Sequence, residues 1–198
     1  KKWGDSPNYS ALARAACENT GLDFTLGNVG AGAGASAGRL KAGLGSASVV
    51  NEDGLQVAAL VVTNPFGAAV MPGTGTLWSW AMEQGGEMGS QYPPCATPDL
   101  EVELSPEGRN GENTTLAVVA TNVALNKAQL KRMAMMAHDG MARAIQPVHT
   151  PFDGDAVFTL STSRMPLPTT AAKSPGASVG RVGAIAAHCL SRAIGRAV

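Results

Sequence analysis

The pattern of apolar and polar positions divides this chain into a few strongly marked segments separated by long small-residue and turn-rich stretches. Leu55–Thr63 (LQVAALVVT) is a continuous apolar run of strand length, which fits a strand buried on both faces, and Pro65 and Gly67 stop it. Thr114–Thr121 (TTLAVVAT) is a second such strand, and Ala156–Ser161 (AVFTLS) a third. Between the last two, Leu130, Met133, Ala137, Met141 and Ala144 recur close to the 3.6-residue period. They predict an amphipathic helix capped by Asn126 and ended by Pro147. A second amphipathic helix is predicted over Val179–Val198, and a short one over Ser10–Glu18 with Ser10 as N-cap and Gly21 just beyond its end. Apolar strands with small-residue helices predict helices covering stacked sheets, a layered α/β arrangement.

The remaining stretches read differently. Residues 27–48 (GNVGAGAGASAGRLKAGLGSAS) are glycine-rich, and Met71–Arg109 is rich in Gly and Pro. The latter predicts long loops with one strand near Leu100–Leu104, ending in the polar segment SPEGRNGEN, which reads as exposed and mobile. No internal repeat is present.

Composition narrows the function classes. The 198 residues are enough for one sizeable domain and carry 15 basic and 15 acidic side chains, for a formal net charge of zero. With no basic field to hold phosphates, a nucleic-acid or membrane-surface partner is not expected. Charged residues are 15% of the chain, against roughly 25% in an ordinary soluble domain, which points to surface covered by other subunits. Cys17, Cys95 and Cys189 are scattered without metal-type spacing, which fits reduced thiols and a cytoplasmic location better than a disulfide framework. There is no run of 18 apolar residues, no apolar stretch of signal-peptide type at the start, and no initiating Met, so the chain reads as part of a longer product.

The sharpest chemical feature is the junction Asn113-Thr114-Thr115, where a polar loop runs straight into a buried-type strand whose first residue bears a hydroxyl. That placement suits an N-terminal nucleophile. The Thr114 hydroxyl attacks the Asn113 carbonyl, the acyl group shifts from nitrogen to oxygen, and water releases the ester. The freed α-amine, with a pKa of about 7.7–8.0 when unperturbed, is a general base near neutrality. On spacing alone the commoner reading is a β-branched residue starting a strand, and Asn113-Thr114-Thr115 also fits a glycosylation sequon. Asp153-Gly154-Asp155 offers two carboxylates to orient an ammonium group or tune each other's proton affinity, or else an ordinary turn. Lys41 is the lone ammonium of its tract, near backbone or on the surface. Asn64, before Pro65, either aims its amide into a cleft as an oxyanion donor or starts a turn. No GxGxxG, GxxxxGK[ST] or GxSxG element occurs. His138, His149 and His188 lack ligand spacing and read as structural, and Met133, Met135 and Met136 as core filling.

Taken together, GENTTLAVVATN (111–122), KAQLKRMAMMAHDGMARAIQPVHTPFDGDAVFTLST (127–162) and the upstream glycine-rich tract with the strand into Asn64-Pro65 strongly resemble the DmpA-type aminopeptidase family. That family includes the β-peptidyl aminopeptidases and the nylon-oligomer hydrolase that cleaves 6-aminohexanoate oligomers. The resemblance runs from about Gly21 to His188. It implies a four-layer αββα sandwich, self-cleavage into associated chains of residues 1–113 and 114–198 that together form one domain, and hydrolysis of linear amide bonds. It implies Thr114 as nucleophile, Asn113 before the cleaved bond, Asp153 and Asp155 as the acidic pair, Lys41 as the site lysine and Asn64 as the oxyanion-side asparagine. No metal or organic cofactor is called for, the partner is a small amide or oligoamide substrate, and a homo-oligomer (a tetramer of αβ units) is expected. Asn–Thr at the junction, where the aminopeptidase branch commonly has Gly before Ser, tilts the reading towards the nylon-hydrolase-like branch. Relatives usually carry a long further N-terminal stretch, so part of the sandwich and the pocket is expected to be missing here. Asn122 stands where many relatives carry Asp. The competing functional expectations are a β- or D-aminopeptidase, an acyltransferase resembling ornithine acetyltransferases, and a non-catalytic glycine-rich binding module.

Overall fold

The computed structural model of the chain describes residues 7–95, 113–168 and 174–198. The main sheet has the order β3 (Leu44–Val50), β4 (Gln56–Val62), β5 (Leu116–Val123), β6 (Ala156–Met165), and Ser36–Ala37 (β1) with Leu40–Lys41 (β2) makes a separate two-stranded ribbon. β3, β4 and β5 are antiparallel in turn, whereas β5 and β6 run parallel, joined through helix α2 (Lys127–Ala142). A second long helix, α3 (Pro175–Gly195), packs on α2 and on β3 and β4. The three strands and two long helices expected from periodicity are therefore present, with one helical layer on the sheet.

Alternation along the strands decides which face the helices take. Val57, Ala59 and Val61 of β4 and Ala117, Val119 and Val123 of β5 are sealed against Met133, Ala137 and Met141 of α2 and Ala186, Leu190, Ala193 and Ile194 of α3. The intervening positions Leu60, Leu116, Val118, Phe158 and Leu160 are exposed, Phe158 at 61%, so the opposite face of the sheet is apolar and uncovered. A strand with apolar residues on both faces is what the continuous runs predicted, and here only one face is filled.

Helix α2 begins where its sequence says. Asn126 Oδ1 accepts the Gln129 N–H and Gln129 returns the bond to the Asn126 N–H, a capping box. The short helix α1 (Tyr9–Glu18) is capped two residues earlier than expected: Asn8 Oδ1, not Ser10, accepts the Ala11 N–H at 3.0 Å, and Asn19 ends it. Helix α3 starts at Pro175, four residues before the expected Val179, because proline is well suited to the first helical turn. The expected strand at Leu100–Leu104 and nearly all of SPEGRNGEN lie outside the described residues.

The glycine-rich tract is a packing device. Asn28 Nδ2 donates to the carbonyls of Gly32, Ala35 and Ala42, at 3.2, 3.2 and 2.8 Å, gathering the loop around one side chain. The tract also contains β3, whose residues LGSASVV carry too little apolar pattern to have been read as a strand. Cys189 is buried in the core, where desolvation pushes its thiol up to about 11, while Cys17 and Cys95 are exposed. Among the described residues no helix is long and apolar enough to cross a membrane.

Candidate active site

The site assembles at the end of the sheet where β4 stops and β5 and β6 begin. The antiparallel register of β4 and β5 continues past the strands, so that the Thr114 N–H donates to the Asn64 carbonyl at 2.8 Å. The parallel register of β5 and β6 continues likewise, and Asn113 bridges Asp153. Pro65 forbids further pairing on one side, and the chain enters β5 between the Asn64 turn and the Asp153-Gly154-Asp155 turn.

Thr114 Oγ donates to the carbonyl oxygen of Asn113 at 2.7 Å, and the Gly154 N–H donates to the same oxygen at 2.9 Å. The carbonyl thus has a hydroxyl beside it and an amide donor polarising it. Gly154 leaves room for that hydroxyl, since a Cβ built there would stand 2.9 Å from Thr114 Oγ.

The two carboxylates divide the work of holding this junction. Asp153 Oδ1 accepts the Phe66 N–H at 2.8 Å, and its Oδ2 accepts the N–H and the hydroxyl of Thr150 at 3.0 and 2.6 Å. It ties the turn after Asn64 to the turn before Gly154, with the Phe66 and Phe152 rings 5.1 Å apart across the join. Asp155 Oδ1 accepts the Thr115 N–H at 2.7 Å, fixing the peptide that follows Thr114, and its Oδ2 meets His149 Nδ1 at 2.8 Å. Each carboxylate is engaged by a different part of the scaffold rather than by the other.

Asn64 Oδ1 accepts the Ser36 N–H at 3.1 Å. Ser36 sits opposite Lys41 in the β1–β2 ribbon, so Asn64 and Ser36 stand between Lys41 and Thr114, and Lys41 is exposed. Among the described residues no hydrogen bond or ion pair joins its ammonium to Thr114, Asp153 or Asp155. The structure therefore brings together Asn113, Thr114, Asn64, Asp153 and Asp155, and leaves Lys41 at the edge. Among the described residues no group of His, Cys, Asp or Glu is arranged to hold a metal ion.

Sequence reasoning missed three contributors. Gly154 was seen only as the middle of a turn, although its amide and its missing side chain both face the junction. His149 and His138 were assigned structural roles, yet they form a chain outward from Asp155. Their positions in the sequence gave no spacing signal, because the contact is made by folding the loop after α2 back onto α2.

An uncharacterised aminopeptidase of Mycobacterium bovis is 43% identical over 187 residues, covering 90% of this chain and 54% of the relative. A 6-aminohexanoate-oligomer endohydrolase of Paenarthrobacter ureafaciens is 34% identical over 180 residues, covering 87% and 48%. The chain thus spans about half the length of these relatives. Among solved structures, a beta-aminopeptidase from Burkholderia sp. superposes with a TM-score of 0.63 at 24% identity, over 98% of this chain and 52% of that one. The L-aminopeptidase D-Ala-esterase/amidase of Ochrobactrum anthropi, described as a variant of the Ntn hydrolase fold, does so with 0.62 at 23%, over 96% and 49%. The sandwich expected from the sequence is accordingly the fold of this chain's neighbours, of which the described residues form one sheet and its helical cover. Residues 4–198 match Peptidase family S58, and with the junction and its neighbouring turns in place the chain belongs to that family.

Proposed function

We propose that the protein is an amide-bond hydrolase activated by cleavage of its own Asn113–Thr114 bond, dividing it into residues 1–113 and a second chain that starts at the nucleophile Thr114. What carries the reading is the junction: a hydroxyl 2.7 Å from the carbonyl oxygen of the preceding residue, with that oxygen also held by the Gly154 amide. Attack by Thr114 Oγ on the Asn113 carbonyl carbon puts negative charge on this oxygen, and a fixed N–H donor stabilises it as it forms. The Thr114 hydroxyl proton passes to the Thr114 nitrogen as the C–N bond breaks and the acyl group moves to oxygen, and water hydrolyses the resulting ester to the Asn113 carboxylate. The new α-amine starts where the Thr114 N–H now points, at the Asn64 carbonyl, which accepts one of its hydrogens and steers the lone pair.

In turnover the amine takes the Thr114 hydroxyl proton, Oγ attacks the substrate carbonyl, and the proton passes to the leaving amine. Water then releases the acyl group. The side-chain amide of Asn64, with its oxygen committed to Ser36, is assigned to the substrate oxyanion, and Lys41 to the rim where it meets charge on the substrate. Asp153 and Asp155 position the turns that carry these groups.

Oligomers of 6-aminohexanoate and short peptides are the proposed substrates. Asn–Thr at the junction supports the first, and the higher identity to the mycobacterial aminopeptidase, 43% against 34%, supports an aminopeptidase of the same family. Intact-mass measurement on the complete gene product should give two fragments, the smaller beginning at Thr114, and Thr114→Ala should remain one chain. A folded wild type that stays whole overturns the reading. Hydrolysis of a 6-aminohexanoate trimer beside a β-alanyl amide then separates the two substrate classes.

A further inference from the structure

Two histidines that the chemistry above does not use stand behind Asp155. From Asp155, whose side chain is 2% exposed, a chain of contacts runs to His149 Nδ1 at 2.8 Å and from His149 Nε2 to His138 Nδ1 at 3.1 Å. It links the head of β6, the loop after α2 and α2 itself. A carboxylate accepts, so His149 presents an Nδ1–H to Asp155, and the His149 and His138 rings stand edge to face at 4.8 Å.

Two further observations favour a built arrangement. His149 has φ of 55°, a left-handed conformation that costs a non-glycine residue energy and that the surrounding structure must impose. The charged groups acting on His138 come from three elements. Its burial holds it below the ordinary histidine range, as does the neighbouring His149, against the opposing pull of Asp155 and of Asp139 on α2.

We propose that His149, steadied by His138, is a positioning residue that holds the Asp155 carboxylate turned towards the Thr115 peptide, and so orients Thr114 for its chemistry. The proposal rests on Thr114 being the nucleophile. Strand alternation puts Thr114 on the same face as Leu116 and Val118, the uncovered side, while Thr115 is buried towards the helices. The imidazole pair reaches this segment through Asp155, whose Oδ1 accepts the Thr115 N–H. A peptide hydrogen is not passed along, so the chain acts by orientation: the Thr115 amide plane directs the Thr114 side chain. Without His149, Asp155 Oδ2 loses the partner that fixes the carboxylate's rotation, and a turned carboxylate no longer meets the Thr115 N–H.

The test follows self-cleavage by intact mass, and kcat and KM on the 6-aminohexanoate trimer, in the complete gene product. His149→Gly removes the ring without left-handed strain, and His149→Asn tolerates that backbone and keeps an N–H near the position of Nδ1. His149→Gly should slow self-cleavage and lower kcat roughly tenfold with KM little changed, and His149→Asn should recover most of it. A His149→Gly variant that matches wild type in both rates, or a loss that His149→Asn does not recover, overturns the proposal. Should His149→Gly not fold, the nitrogen NMR shifts of wild-type His149 decide: a proton on Nδ1 supports the chain, and a neutral ring protonated on Nε2 overturns it. A wild type that neither cleaves nor hydrolyses, like Thr114→Ala, is a failure of the nucleophile assignment, and is recognised before any histidine variant is compared.

Discussion

At the scale of single residues, the space beside Thr114 Oγ is as specific as the hydroxyl itself. Gly154→Ala adds a Cβ 2.9 Å from that oxygen without changing charge or removing the Gly154 amide. Displacing the attacking atom by a fraction of its bond length should slow self-cleavage about a hundredfold, read as the fraction of intact chain over time, with the fold retained by circular dichroism. Asn122 answers a question the sequence left open. Its Oδ1 accepts the Gln56 N–H at 2.9 Å and its Nδ2 donates to the Gly54 carbonyl at 2.8 Å, a pairing in which Asp could supply only the acceptor. Residues whose partners lie next to them in the register, such as Asn113, Thr114 and Asp153, were nameable from sequence once their motifs were recognised together. His149, His138 and Asn28 were not, because each acts on groups that only the folded path brings near.

At the scale of elements, small residues decide how the helices approach. A Cβ on Gly140 of α2 would lie 2.2 Å from the Ala187 carbonyl oxygen of α3, so the two helices touch backbone to backbone there. Gly140→Ala raises helix propensity and should nevertheless destabilise, by about 1–3 kcal/mol, seen as a lower denaturant midpoint with unchanged slope. An increase in stability would mean that the helices separate at little cost. β4, β5, β6 and α2 were legible because their apolar positions carry the whole signal. β3 was hidden because its Gly, Ser and Ala residues are chosen for what they let approach, and pairing with β4 makes it a strand. The start of α3 was misplaced for a related reason: SPGAS reads as a turn unless the helix beyond it is known to need proline at its first position.

At the scale of the molecule, one ion cluster pins the loop around Glu87 to α3 and the sheet. Arg192, 7% exposed, donates through Nη2 to Glu87 Oε2 at 2.9 Å and through Nη1 to the Ser48 carbonyl at 3.0 Å, and Arg196 stands 3.5 Å from the same carboxylate. Burial alone would raise Glu87, but the hydrogen bond and charge of Arg192 outweigh it and hold the carboxyl below the ordinary glutamate range. The folded pKa is depressed, so the contribution is fully present above the unfolded value and lost as the pH falls through the folded one. Glu87→Gln leaves Arg192 without its counter-charge and should cost about 3 kcal/mol near neutrality, with the gap to wild type closing as the pH drops below the glutamate range in denaturant titrations.

The uncovered sheet face, with Leu60, Leu116, Val118, Phe158 and Leu160 on it, also bears on the order in which the molecule matures. Thr114 shares that face, at its margin, and an apolar surface of this kind drives its own covering. On the proposed chemistry, any layer that settles on it also closes over Thr114 and dries the place where the Asn113 carbonyl would be attacked, so that covering the sheet and arming the junction become one event.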